Sequence, residues 1–158
     1  MLDGMAFQIL VVCTGNICRS PMGEIVLREQ FARAGIGEPE VRVRSAGVSS
    51  EEQGNRVDWR ARKVLGEAGY PQRRKGAAHR VTVTELQESD LILAMTASHQ
   101  RALARMAEAA GVDPAKIRMW RDGDMPDPWY GDMSDFRATM QAIEAGAELI
   151  VRDYLDAK

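Results

Sequence analysis

Four short stretches rich in apolar and β-branched residues predict the strands of this protein. The stretch at 91–95 is continuously apolar, which is typical of a strand covered on both faces of a sheet. At 41–44, valines alternate with arginines, the period of two expected of a strand. The predicted strands are residues 7–12, 41–44, 91–95 and 116–120.

Apolar residues at helical spacing predict the elements that follow the strands. Gly35, Gly69 and Gly111 each follow such a segment and are expected to end a helix. Thr96 or Ser98 is expected to cap the helix after the third strand. The last helix has the clearest period. The predicted helices are 18–34, 57–68, 84–88, the segment between Thr96 and Gly111, and 136–154.

This alternation predicts an α/β fold, a single-domain four-stranded parallel sheet with helices on both faces. Right-handed crossovers restrict the strand order, and we expect the flavodoxin-like order 2-1-3-4. One domain is expected over residues 1–158, with residues 1–6 as a loose leader. In this order, ligands bind at the carboxyl end of the first strand.

The sequence C-T-G-N-I-C-R-S occupies residues 13–20, at that end of the first strand. Thr14, Gly15 and Asn16 are typical of a tight loop, and the pattern becomes helical from Cys18. A strand, a loop and a helix N-terminus in this order direct several N–H groups and the positive end of a helix dipole at one point. Such a concave nest of amides binds a dianion.

Two side chains that flank this loop indicate phosphoryl chemistry. Cys13 is a nucleophile as a thiolate, and the loop amides with Arg19 favour that charged form. The planar guanidinium of Arg19 can hold two phosphate oxygens at once. A buried structural cysteine beside a solvated arginine is the plain alternative. The strand, the glycine loop, the spacing and Ser20 together favour a phosphoryl-transfer site.

Composition argues against several other classes of function. The 158 residues carry a net charge of -2, which gives no electrostatic case for nucleic-acid or membrane binding. The N-terminus lacks a signal-type segment, so we expect a cytoplasmic protein. We expect no cofactor and no metal, because His79 and His99 are unlinked and are predicted to be ordinary surface residues. The basic run 73–75 is likewise predicted to be solvated.

The stretch C-T-G-N-I-C-R-S-P resembles the signature of the low-molecular-weight protein tyrosine phosphatase family. The resemblance continues through S-A-G at 45–47, D-L-I-L at 90–93 and D-P-W-Y-G at 127–131, so it spans nearly the whole chain. It implies hydrolysis of phosphotyrosine through a cysteinyl-phosphate intermediate on Cys13. Phosphotyrosine-containing proteins, a tyrosine kinase among them, are the implied partners. The implied phosphate-binding residues are Thr14, Gly15, Asn16, Ile17, Cys18 and Arg19.

The tyrosyl leaving group needs a proton, and general acid catalysis is typically worth about 10²–10⁴-fold. Spacing alone does not choose among four aspartates of the loop at 122–132, which are Asp122, Asp124, Asp127 and Asp132. The resemblance selects Asp127, which in this family protonates the tyrosyl oxygen and then activates the water that cleaves the cysteinyl phosphate.

Other residues of these motifs are expected to shape the site. Trp129 and Tyr130 can sandwich a phenyl ring, with Ile17 against the same ring, although such a pair can also pack on the core. Supporting roles are expected for Ser20, which eases departure of the thiolate, and for Asn16 and Ser45, which hold the loop open.

The resemblance also implies a reversible disulfide between Cys13 and Cys18 that protects the nucleophile. Simple packing of Cys18 in the first turn of the helix is an equal alternative, because geometry decides disulfides.

The chain departs from the family pattern at three places. Glu51 and Glu52 stand where many members carry Trp-His or Trp-Asn, which removes an aromatic wall and adds negative charge at the mouth. Residues 76–79 read G-A-A-H instead of the usual His-x-Ala-Arg, and Thr96 replaces an acidic residue. We therefore expect different hydrogen-bond support for the loop.

Three alternative functions stay open at this point. The acidic pair keeps a phosphoarginine phosphatase as an alternative, but relatives with that activity tend to carry Thr where Ile17 stands. Arsenate reduction needs a relay of further cysteines, and the chain has only two. A silent phosphotyrosine-binding module predicts a missing nucleophile or acid, and both are present.

Overall fold

A computed structural model describes residues 6–74 and 76–158, and in it the strands form one parallel sheet in the order β2-β1-β3-β4. The predicted α/β fold and strand order are thus confirmed. Residues 1–5 of the predicted leader lie outside the described residues, whereas Ala6 is buried, contrary to the prediction. The strands are β1 Phe7–Cys13, β2 Val41–Gly47, β3 Leu91–Ala94 and β4 Ile117–Met119.

Helices cover both faces of the sheet. The face formed by Ile9 and Val11 of β1 packs on α1, α2 and α5, and the face formed by Leu10 and Val12 packs on α3 and α4. The central strand is therefore buried on both sides, which explains its mostly apolar sequence. The helices are α1 Arg19–Arg33, α2 Trp59–Glu67, α3 Val83–Glu88, α4 Ala97–Ala110 and α5 Met133–Asp156.

Capping residues explain most of the differences between predicted and observed boundaries. Asp58 accepts a bond from the Arg60 amide, so α2 begins two residues after the predicted start. Thr96 rather than Ser98 caps α4, and Gly111 ends it in the left-handed conformation. A 3-10 turn at Pro114–Lys116 shortens β4. In the described ranges, no helix is long and apolar enough to cross a membrane.

Candidate active site

The carboxyl end of β1 and the N-terminus of α1 enclose a loop at residues 14–18. Cys13 is paired with Gly47 of β2, so the loop begins beside that glycine. A Cβ atom on Gly47 would lie 2.4 Å from the carbonyl oxygen of Thr14, so only glycine leaves room for the loop. Within the loop, Asn16 has a φ of 62°, a left-handed conformation that Asn tolerates better than most residues.

The Cys13 thiol lies beside the buried hydroxyl of Ser20. The Sγ–Oγ distance is 3.0 Å, and 3% of Cys13 is exposed. The single hydroxyl proton of Ser20 has a second acceptor in the carbonyl oxygen of Ala46, 3.2 Å away. When the sulfur is a thiolate, only the hydroxyl can donate between the two groups, so Ser20 is placed to stabilise the anion.

Asn16 connects this hydroxyl to the ion pair between the buried Glu24 and Arg28. Its Nδ2 donates to Ser20 Oγ at 2.8 Å and to Ser45 Oγ at 3.0 Å. The Ser45 hydroxyl donates to Glu24 at 2.5 Å, and the other carboxylate oxygen of Glu24 accepts from Arg28 at 2.5 Å. Glu24 is completely buried, and a buried carboxylate requires such partners. The loop conformation therefore depends on a polar network that extends into α1.

Arg19 joins the loop to the segment that carries Asp127. One guanidinium nitrogen donates to the carbonyl oxygen of Met125 at 2.8 Å. Another lies 3.5 Å from Asp127 Oδ2, and Arg19 is 5% exposed. A side chain held in this way keeps its guanidinium beside the loop without freedom to swing into solvent.

Different partners separate three of the four aspartates that sequence spacing left equivalent, Asp124, Asp127 and Asp132. Asp124 accepts from the Ala97 amide at 2.7 Å and so caps the start of α4. Asp132 caps α5 by accepting from two amides of its first turn. Among the described residues, only Asp127 forms an ion pair with Arg19. Its other oxygen accepts from the Trp129 amide at 3.1 Å, which fixes the carboxylate at the site.

A cleft of about 170 Å³ opens above the loop. Trp129 and Tyr130 are 43% and 89% exposed there, so neither side chain belongs to the core. Glu51 and Glu52 contribute two carboxylates to the same cleft. The cleft brings together most of the sequence-predicted residues; its lining is Thr14, Gly15, Ile17, Cys18, Arg19, Glu51, Glu52, Asp127, Trp129 and Tyr130.

Arg60, which the sequence analysis did not identify, ties α2 to the segment of Asp127. Its guanidinium pairs with both oxygens of Asp58 and donates to the carbonyl oxygens of Trp129 and Gly131 at 3.1 and 3.3 Å. It also lies 5.2 Å from the centre of the Trp129 ring. Burial opposes ionisation of Asp58, but the bonds from Arg60 outweigh it and lower the pKa of Asp58.

The two cysteines differ in their surroundings, although both are free thiols. Burial, reinforced by the negative charge of Asp58, raises the pKa of Cys18 well above its usual range. Cys18 therefore stays a neutral thiol in the first turn of α1.

In the part of the chain that the structure describes, no group of three His, Cys, Asp or Glu side chains could hold a metal ion.

His99 lies against the loop, and its prediction as a surface residue was wrong. It is 4% exposed, and its Nε2 is 2.8 Å from Thr14 Oγ1. Its Nδ1 is buried without a partner, so an imidazolium would place an N–H there with no acceptor. Burial, reinforced by the charge of Arg19, lowers the pKa of His99 to about 4. His79 is half-buried and pairs with Glu85 at 2.7 Å.

Arg74 also contradicts its prediction, because it is half-buried instead of solvated. Its Nη2 donates to the carbonyl oxygen of Asn16 at 2.6 Å. Arg73 is exposed as predicted, and Lys75 lies outside the described residues. Arg74 and His99 contact loop residues that are 58 and 85 positions away, so no local pattern in the sequence could have identified them.

Comparison with known proteins is consistent with this geometry. The chain is similar to a low molecular weight protein-tyrosine-phosphatase of Streptomyces coelicolor, with 37% identity over 90% of both chains. A protein tyrosine phosphatase of Entamoeba histolytica has the same fold, with a TM-score of 0.87, 26% identity, and coverage of 96% of this chain and 99% of that one. An arginine phosphatase of Geobacillus stearothermophilus gives a TM-score of 0.81 and 27% identity, with 96% and 94% coverage.

A family model covers almost all of the sequence. The model described as low molecular weight phosphotyrosine protein phosphatase matches residues 8–157, which include the loop, the sheet and the segment of Asp127. The chain belongs to the low molecular weight phosphotyrosine protein phosphatase family.

Proposed function

We propose that this protein hydrolyses phosphotyrosine in proteins through a cysteinyl-phosphate intermediate. The observation that carries the proposal is the arrangement of Arg19 and Asp127, 3.5 Å apart, in the lining of one cleft, whose loop begins directly after Cys13. The loop amides and Arg19 bind the phosphate, as helix N-termini and guanidinium groups do. Family membership supports the same reaction.

In the first step, the Cys13 thiolate attacks phosphorus and the bond to the tyrosyl oxygen breaks. Asp127 gives its proton to that oxygen, so tyrosine leaves as a neutral phenol. Arg19 and the loop amides stabilise the charge on the equatorial oxygens during transfer. The products of this step are tyrosine and a phosphate ester of Cys13.

In the second step, a water molecule attacks the phosphorus of the cysteinyl phosphate. Asp127, now a carboxylate, takes the proton of that water. The sulfur leaves as a thiolate, and the hydroxyl of Ser20, 3.0 Å from it, donates a hydrogen bond to the departing anion. Inorganic phosphate is released and the enzyme returns to its starting state.

The cleft also fits an aromatic substrate. Trp129 and Tyr130 expose large ring surfaces beside Asp127, and Ile17 offers an apolar contact from the loop. A flat phenyl ring between such surfaces places the phosphate over the loop. Hydrolysis of phosphoarginine is a second candidate, because the carboxylates of Glu51 and Glu52 line the cleft and can pair with a guanidinium.

Steady-state kinetics on matched peptides test the proposal. We expect kcat/KM to be highest for a phosphotyrosine peptide, lower for a phosphoarginine peptide and negligible for a phosphoserine peptide. Cys13→Ser should abolish turnover while inorganic phosphate still binds. Turnover by Cys13→Ser would refute the covalent route, and a preference for phosphoarginine would select the second candidate. The cytoplasmic location and a tyrosine kinase as substrate stay predictions from the sequence.

A further inference from the structure

Arg74 occupies a place in the loop network that no sequence motif assigns to it. Its Nη2 donates to both the backbone oxygen and the side-chain oxygen of Asn16. The bond to the backbone oxygen measures 2.6 Å. Charge-assisted bonds of this kind are roughly twice as strong as bonds between neutral groups. One cation therefore holds the main chain and the side chain of the same loop residue.

The residue held by Arg74 is the one on which the loop turns. Asn16 has positive φ and is completely buried. Its side-chain amide has two different ends, and the loop needs the nitrogen to face Ser20 and Ser45. A guanidinium can only donate, so it accepts no bond from the amide nitrogen and fixes the oxygen on its own side. Together with the backbone N–H of His79, which donates to the same oxygen at 3.3 Å, Arg74 orients the Asn16 amide toward the hydroxyl beside the nucleophile.

Arg74 also contributes charge. Burial lowers the pKa of its guanidinium, but the charges of Glu24 and Cys13 oppose that shift, and arginine remains protonated near neutral pH. Asn16, which Arg74 holds, donates to Ser20 Oγ at 2.8 Å, and that oxygen lies 3.0 Å from Cys13 Sγ, so two hydrogen bonds connect the residue held by Arg74 to the sulfur. Gly76 is exposed with φ of 106° and has no side chain that could contact the loop. Arg74 reaches the loop from two residues earlier.

We propose that Arg74 is a positioning residue that orients Asn16 and holds the phosphate loop in its anion-binding shape with a permanent positive charge. The inference rests on the proposed function, because it concerns the same loop. Arg19 binds the phosphate directly, whereas Arg74 acts through Asn16 and, by its charge, on Cys13.

Three variants separate charge from packing. Arg74→Met keeps the length and apolar stem but removes the charge and donors, Arg74→Lys keeps the charge without the planar fork, and Arg73→Met is a matched control at an exposed neighbour. For Arg74→Met we expect kcat/KM for an aryl phosphate to fall about 10- to 100-fold, with weaker inhibition by inorganic phosphate. Arg74→Lys should recover part of the loss, and Arg73→Met should behave as the wild type.

The second readout is the rate at which iodoacetamide alkylates Cys13 as a function of pH, with the labelled cysteine located by peptide mass spectrometry. Loss of a positive charge near the sulfur moves the midpoint of this profile to higher pH in Arg74→Met, and Arg74→Lys restores it. A purely structural role would leave the midpoint in place. The variants leave unchanged the identity of the other charged or titratable side chains around the loop. These are Arg19, Glu24, Glu51, Glu52, Asp58, Arg60, His79, His99 and Asp127.

The outcomes distinguish this inference from the proposed function. Wild-type kinetics and an unshifted alkylation profile in Arg74→Met would overturn the role of Arg74 while leaving the phosphatase intact. If the wild type fails to hydrolyse phosphotyrosine, the alkylation profile still decides whether Arg74 acts on Cys13. If Arg74→Met does not fold, as judged by circular dichroism, Arg74→Lys carries the test. A wild-type inhibition constant for phosphate in that variant would overturn the need for a guanidinium that bonds both oxygens of Asn16.

Discussion

His99 makes the stability of the protein depend on pH in a way that a single substitution can isolate. The imidazole is buried against Thr14 with one ring nitrogen unpartnered, so its neutral form is favoured. Its pKa is about 4 in the folded protein, against an ordinary value of 6.5. The unfolded chain therefore binds a proton between these two pH values that the folded protein does not.

The sign and size of the effect follow from linkage. Because the folded pKa is depressed, stability contributed by neutral His99 is fully present above pH 6.5 and is lost as the pH falls toward about 4. The difference between the folded and unfolded pKa values of His99 corresponds to about 3 kcal/mol of unfolding free energy, which is lost between pH 6.5 and about 4. The slope reaches at most about 1.4 kcal/mol per pH unit.

Urea unfolding from pH 4 to pH 7.5, with His99→Gln beside the wild type, measures this difference. Lost packing lowers the free energy of unfolding equally at every pH, so the slope isolates the titration. The wild type should lose stability faster than His99→Gln as the medium is acidified. His79→Gln is the matched control. Burial opposes the charge on His79, but the bonds of this histidine to Ala77 and Glu85 outweigh burial and raise its pKa. The free energy of unfolding of His79→Gln should therefore fall below that of the wild type mainly at acidic pH.

Parallel curves for the wild type and His99→Gln would refute the reasoning. They would show that His99 is protonated in the folded protein as easily as in the unfolded chain, and hence that it does not remain buried beside Thr14.

Three further substitutions test the site. Asp127→Asn should slow hydrolysis of phosphotyrosine about 10²–10⁴-fold but affect a nitrophenyl ester far less, because that leaving group needs no proton; equal losses on both would remove the acid role. Gly47→Ala should reduce kcat/KM roughly 100-fold with a lower melting temperature, because its Cβ would meet Thr14 at 2.4 Å; wild-type kinetics would contradict the required contact. Arg60→Gln should reduce kcat/KM about 10-fold by releasing the carbonyl oxygen of Trp129; unchanged burst and steady-state rates would count against it.

The sequence was sufficient to predict the fold because the decisive signals are local. The run that became β1 has strand length and ends at Cys13, and alternation with helices restricts the order of a parallel sheet. The loop from Thr14 and the glycine that ends α4 are likewise marked by residues with particular backbone preferences.

Partners distant in sequence were not predictable. In the sequence, Arg74 is one residue of a basic run and His99 is a polar residue near a helix start. Neither pattern specifies a tertiary contact. Asp58 and Arg60 bond to each other at the start of α2, but their effect on Trp129 depends on how α2 packs against α5. Such contacts arise only after the sheet has placed separate segments together.

Arg28 lies outside the cleft, yet it stands at the far end of the hydrogen-bonded series that runs through Glu24, Ser45 and Asn16 to Ser20. If it were lost, the buried carboxylate of Glu24 would lose this charged hydrogen bond, and the resulting rearrangement would propagate through Ser45 and Asn16 to the nucleophile. Natural variation at Arg28 should therefore be judged with the catalytic residues, even though a survey limited to the substrate cleft would overlook it.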